Sequence, residues 1–187
     1  EKIVFMKLLK DLCGNIEQPT YEFGRPTLPI CDMLFASALK VYSTFSLRRF
    51  MSDFTIAKEM GLVGTTCTYA NICYFMNREG LTDILQNLIT LSSTPLRDVE
   101  TKFAVDSSGF STSRFARWFD YKWGKERKYR MWLKAHINTG TKTNIVTSVK
   151  ITEGTDNDSP QLAELVRKTA EIFNMEEQSG DKAYSSR

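Results

Sequence analysis

The sequence predicts an α+β protein: a helical bundle over residues 1–94, followed by a mixed sheet over residues 95–187. Two observations predict this division. Through residue 94, apolar residues recur at helical spacing between glycine and proline breaks. From about residue 101, β-branched and aromatic residues gather instead in short runs separated by turn residues. A third observation sets the topology. The second half reads strand, strand, strand, helix, strand, so the first three strands form an antiparallel meander and the helix crosses over to return the last strand parallel to the first.

In the first helix, Val4, Leu8, Leu9 and Leu12 share one face, and Gly14 closes it. The stretch GNIEQPTYEFGRPT, residues 14–27, is a loop by its glycine and proline content. Pro29 fits the first turn of a helix running through ICDMLFASALKVYSTF. Ser46 caps LRRFMSDFTIAKEM, which stops at Gly61. TTCTYANICYFMNREG opens on threonine caps, and LTDILQNLITL follows Gly80. Two readings of this bundle stay open: one contains a helix-turn-helix, the other is purely structural or dimerising.

In the second half, KFAVDSS is the first strand. Residues 128–138 and 143–152 are the next two, joined across Gly140. Ser159 and Pro160 start the helix, with Leu162, Leu165, Val166 and Ile172 on its inner side. EEQSGDKAYSS supplies the last, short strand.

Composition narrows the function classes. Of 187 residues, 42% are hydrophobic and 25% charged, enough to bury a sizeable core in one domain or two. No run of about 18 apolar residues exists, so no membrane span is expected. The chain opens on Glu1 without a signal pattern, which reads as a fragment. Cys13, Cys31, Cys67 and Cys73 form no C-x-x-C pair and lie far in sequence from the single histidine, His136. That spacing argues against zinc and for reduced thiols in the cytoplasm. There is no G-x-x-x-x-G-K-[ST] loop, hence no nucleotide cofactor.

The candidate chemistry lies in FAVDSSGFSTSRF, residues 103–115, where an apolar strand ends on Asp106. The plain reading is that Asp106 opens a turn with the serines and Gly109. The strand order, however, sets it beside a second acid, Asp181, 75 residues later, and two converging carboxylates invite a divalent cation. Between residues 110 and 136 lie Arg114, Arg117, Lys122, Lys125, Arg127, Lys128, Arg130 and Lys134 against only Asp120 and Glu126, a local net charge of +6 where the rest of the chain carries −3. Eight aromatics, among them Trp118, Trp123 and Trp132, interleave with them. Such a segment is either a solvated loop or a surface for a phosphate backbone. Lys134 and His136 share a strand face expected beside Asp106. There His136 orients a phosphate or a water, or hydrogen-bonds a ligand carboxylate from behind, or else is half-buried and satisfied by backbone.

These segments resemble the DDE transposases of bacterial insertion sequences, whose catalytic domain is ribonuclease-H-like. The resemblance rests on FAVDSSGFSTSRFARWFDYKWG, WLKAHINTGTKTNIVTSVKIT, NDSPQLAELV and GDKAYSS, in that order, and more loosely on the helical half from GRPTLPICDMLF. It implies that Asp106 and Asp181 are the first two acids of a catalytic triad, one ending the first strand and one the last. Together they would hold Mg²⁺, with Mn²⁺ able to substitute. The implied activity is cleavage and strand transfer of double-stranded DNA by a nucleoid-associated cytoplasmic homodimer, with residues 1–94 serving DNA binding or dimerisation. The family's third acid is a glutamate well beyond the second, and Lys182 to Arg187 include no acid. Residues 1–187 alone are therefore expected to be inactive. The alternatives are a non-catalytic DNA-binding or dimerising remnant, and a related nuclease that only hydrolyses.

Overall fold

The computed structural model describes residues 1–20, 23–24, 26–111 and 132–185. The chain divides into two compact units, Glu1–Leu88 and Ile89–Arg187.

The first unit is built on α1 (Lys2–Cys13), α2 (Ile30–Ser43), α3 (Leu47–Glu59), α4 (Tyr69–Met76) and the start of α5 (Leu81–Ser93). Helix α2 is the centre of its core, with Leu34, Ala36 and Leu39 fully buried against Phe50 and Phe54 of α3 and Ile72 of α4. Pro29 precedes α2 as its cap residue and brings no hydrogen-bonding side chain. Gln18 from the preceding loop takes over, its Oε1 accepting from Ile30 N at 2.8 Å. Ser46 caps α3 as expected, accepting from Arg49 N, and Gly61 ends it with a φ of 72°, a conformation that favours glycine.

Two expectations are corrected here. Helix α1 buries Met6, Leu9 and Cys13 and leaves Val4 and Leu8 exposed, so its inner face is rotated from the one its leucines suggest. Helix α4 has a threonine, Thr68, in its cap position, but that side chain makes no cap bond and the helix starts at Tyr69, well after the threonine pair. The amides of Gly64 and Thr65 donate to the buried carboxylate of Asp32 at 3.0 and 2.8 Å, which holds that stretch as a loop. All four cysteines are free, and burial, then the neighbouring Cys31, pushes the Cys13 thiol up to about 12.

The second unit is the expected mixed sheet: β1 (Lys102–Ser111), β2 (Trp132–Gly140), β3 (Val146–Glu153), α6 (Ser159–Ala170) and β4 (Glu177–Gly180). The strand order is β3-β2-β1-β4, with β1–β2 and β2–β3 antiparallel and β1–β4 parallel. Strand β1 is therefore central, and the crossover through α6 lays β4 beside it. One face of the sheet meets α6. Phe103 and Val105 of β1 are buried there, Phe103 edge-on to Phe173 at 5.3 Å and Val105 against Leu165.

Much of this interface is polar. Asn138, Thr147, Ser148 and Thr169 are buried, with Asn138 Nδ2 donating to Thr169 Oγ1 at 2.9 Å and Ser148 Oγ to Leu165 O at 3.0 Å. Thr147 and Thr169 join their hydroxyls at 2.9 Å. A register shift between β2 and β3 leaves Thr147 as an extra residue, so two consecutive β3 hydroxyls reach the same helix. Just before β1, Glu100 is buried, and its carboxylate accepts from the amides of Lys142 and Thr143, tying the β2–β3 turn to the start of the central strand.

Among the described residues, no helix is long and apolar enough to cross a membrane.

Candidate active site

Asp106 does not end its strand, as the sequence reading expected. It lies at the middle of β1, which continues to Ser111 because residues 107–111 pair in full with residues 132–136. Its carboxylate is exposed and accepts from Ser107 N at 2.7 Å. Alternation sends Phe103, Val105 and Ser107 to the α6 face and Ala104 and Asp106 to the other. The parallel ladder pairs Lys102 with Glu177 and runs in step to Val105 with Gly180. Asp106 and Asp181 are the residues that follow this last pair on each side.

Asp181 is the first residue past β4. Its backbone is still extended, and its carboxylate accepts from Lys182 N as it caps the 3₁₀ turn Lys182–Tyr184. In-register residues of a parallel pair share a face, as the ion pair between Lys102 and Glu177 at 2.9 Å shows. Asp106 faces away from α6, and Asp181 opens the turn that follows the last paired residue of β4. Among the described residues, no group of three or more His, Cys, Asp or Glu side chains is close enough to hold a metal. Each of the two carboxylates offers oxygen donors of the kind Mg²⁺ and Mn²⁺ accept.

His136 and Lys134 do share a face, but it is not that of Asp106. The residue opposite Asp106 is Ile137, while His136 stands opposite Ser107, on the α6 side. His136 is fully buried, and its partners are side chains rather than backbone: Nδ1 lies 2.9 Å from Tyr184 Oη and Nε2 3.0 Å from Thr152 Oγ1. Burial holds its pKa below the usual histidine value, against the pull of Asp158 and helped by Lys134 and Lys150. Lys134 Nζ bonds Asp158 Oδ1 at 2.7 Å and the carbonyl of Asp156 at 3.0 Å, so its ammonium is committed internally rather than offered to a phosphate. Arg114, Arg117, Lys122, Lys125, Arg127, Lys128 and Arg130 lie outside the described residues.

The sequence reading missed two residues of this cluster. Asp158 precedes α6 in the position of a cap, yet its side chain makes no cap bond. It reaches Lys134 and, at 3.4 Å, the hydroxyl of Ser107. Tyr184 looked like part of a terminal strand and is instead a buried anchor against Val105 and Leu165. The available signal was its spacing three residues after Asp181, one short helical turn. Beside them an open cavity of about 580 Å³ is lined by Lys134, Asp156, Asp158 and Ala183.

No curated protein and no solved structure matches the chain. Residues 97–187 match a family model described as a transposase DDE domain, a span that takes in the whole sheet, both exposed aspartates and the buried cluster behind them. Over residues 97–187 the chain is thus similar to transposase DDE domains.

Proposed function

We propose that this chain is part of a transposase that binds transposon-end and target DNA and carries out metal-dependent phosphodiester cleavage and strand transfer, with Asp106 and Asp181 as two of its metal-holding acids. The observation that supports the reading is the register: the parallel β1–β4 ladder ends at Val105 with Gly180, and the exposed Asp106 and Asp181 are the next residue on each side. Mg²⁺ or Mn²⁺ held there would activate the attacking oxygen and offset charge on the leaving one. Asp106, on the central strand and flanked on both sides, is the rigid donor. Asp181, at the mouth of a turn, is the donor whose position the turn sets. The basic, aromatic stretch between β1 and β2 would hold the phosphate backbone, and residues 1–94 would serve DNA binding or pairing of two copies in the cytoplasm.

Within residues 1–187, this reading supplies two acids of three. That chain is expected to bind DNA without cutting it. A form carrying a third acid is expected to nick duplex DNA with Mg²⁺ or Mn²⁺. In that form Asp106→Asn and Asp181→Asn should each abolish nicking while leaving DNA binding intact or slightly tighter, since a negative charge near phosphate is removed. Robust nicking by either Asn variant would take that aspartate out of the site.

A further inference from the structure

We propose that Tyr184, held by His136, is a positioning residue that sets the spacing of the Asp106 and Asp181 carboxylates from the opposite side of the sheet. The inference rests on the reading that this pair holds a metal ion, and it concerns what keeps the pair together. Two like charges repel, and β4 contributes only four residues of ladder to resist them. The bond Asp181 makes is local, to the amide of Lys182. The anchor comes three residues later. Tyr184 is 4% exposed, and its hydroxyl lies 2.9 Å from His136 Nδ1 on β2. Tyr184 also packs with Val105, the β1 residue before Asp106. Tyr184 therefore ties the turn that Asp181 opens to β2 through its hydroxyl and to β1 through its packing with Val105.

The direction of the hydrogen bond follows from the far side of the imidazole. Thr152 Oγ1 donates to Glu153 O at 3.3 Å, which leaves it to accept from His136 Nε2. The ring then carries its proton on Nε2, and Nδ1 accepts from the Tyr184 hydroxyl. A neutral, fully buried histidine suits this arrangement, and the rings meet edge-on at 86°. Lys134, Asp158, Asp156 and Lys150 are the charged groups facing this ring.

The test is Mn²⁺ titration of the 187-residue chain followed by electron paramagnetic resonance, with thermal melting and amide hydrogen exchange run on the same samples. Tyr184→Phe, which keeps the ring and deletes the hydroxyl, should weaken Mn²⁺ binding by about tenfold, the loss typical of groups that orient a metal's ligands. It should also speed exchange at Ala183 and Tyr184. His136→Ala should do the same, and the double variant should be no weaker than either single one, since the two act as a unit. His136→Gln should recover part of the loss, because its amide oxygen can accept from Tyr184.

Wild-type affinity and exchange in Tyr184→Phe would overturn the clamp while leaving the metal pair standing. Unchanged Mn²⁺ binding in Asp106→Asn would instead remove the metal pair, and the clamp's role with it. Loss of binding only in step with unfolding, with no rescue by His136→Gln, would make the role merely structural and also overturn the proposal.

Discussion

Gly180→Ala perturbs the acid pair without touching either acid. An ideal Cβ on Gly180 stands 2.8 Å from Val105 Cγ1 and 3.7 Å from Tyr184 Cβ. Carbon atoms rest at about 3.5–4.0 Å, so the contact must open by roughly 0.7 Å. The neighbours cannot give easily. Val105 is 3% exposed and β-branched, hence stiff at χ1, and Tyr184 blocks the other side. The backbone conformation is no obstacle, because Gly180 is not among the residues at positive φ. The cost is therefore overpacking, about 1–3 kcal/mol, with β4 displaced from β1.

Asp181 is the next residue and moves with it. Metal–oxygen distances tolerate only about 0.2 Å, so Mn²⁺ affinity should fall by about tenfold or more. Gly109→Ala on β1 is the control: its added Cβ meets nothing within 4 Å, so stability should be unchanged or slightly improved and Mn²⁺ binding should not change. Denaturant unfolding gives the stability term and Mn²⁺ titration gives the site. A Gly180→Ala chain matching wild type in both would show that close β1–β4 contact does not set the position of Asp181.

Glu100 supplies a pH dependence. Its burial would raise the carboxyl, but hydrogen bonds from Thr143 and Lys142 outweigh it and hold the pKa below the ordinary value of 4.5. A depressed carboxyl stabilises the fold above its unfolded pKa, and that contribution is lost as pH falls through the folded value. The melting-temperature gap between wild type and Glu100→Gln should therefore be widest near neutrality and close below about pH 4. A gap independent of pH would show that the carboxylate charge is not what holds the turn. For DNA, replacing Arg127, Lys128 and Arg130 together with Ala should flatten the salt dependence of binding by about one unit of slope per lost phosphate contact. An unaltered slope in a titration against ionic strength would mean these residues do not meet the backbone.

The sequence by itself determined the α+β layout, the order of the strands and the return of the last one parallel to the first. The signals for these are local: glycine and proline punctuation, the change from helical to β periodicity, and the Ser159–Pro160 helix start. It also singled out Asp106 and Asp181, because strand order alone makes their segments neighbours. What the sequence could not supply is which way each side chain faces. Facing in a sheet depends on register, and a shift of one residue exchanges the two faces. Only the pairing of Asp106 with Ile137 and of Ser107 with His136 separates the histidine from the acids.

The same holds for helix α1, where Met6, Leu9 and Cys13 rather than Val4 and Leu8 turn inward, a choice made by the helices it meets. The floor beneath α6 was hidden for a different reason. Asn138, Thr147, Ser148 and Thr169 are polar, so apolar periodicity passes over them. They can be buried because each finds its hydrogen-bond partner across the fold, which only the tertiary structure provides.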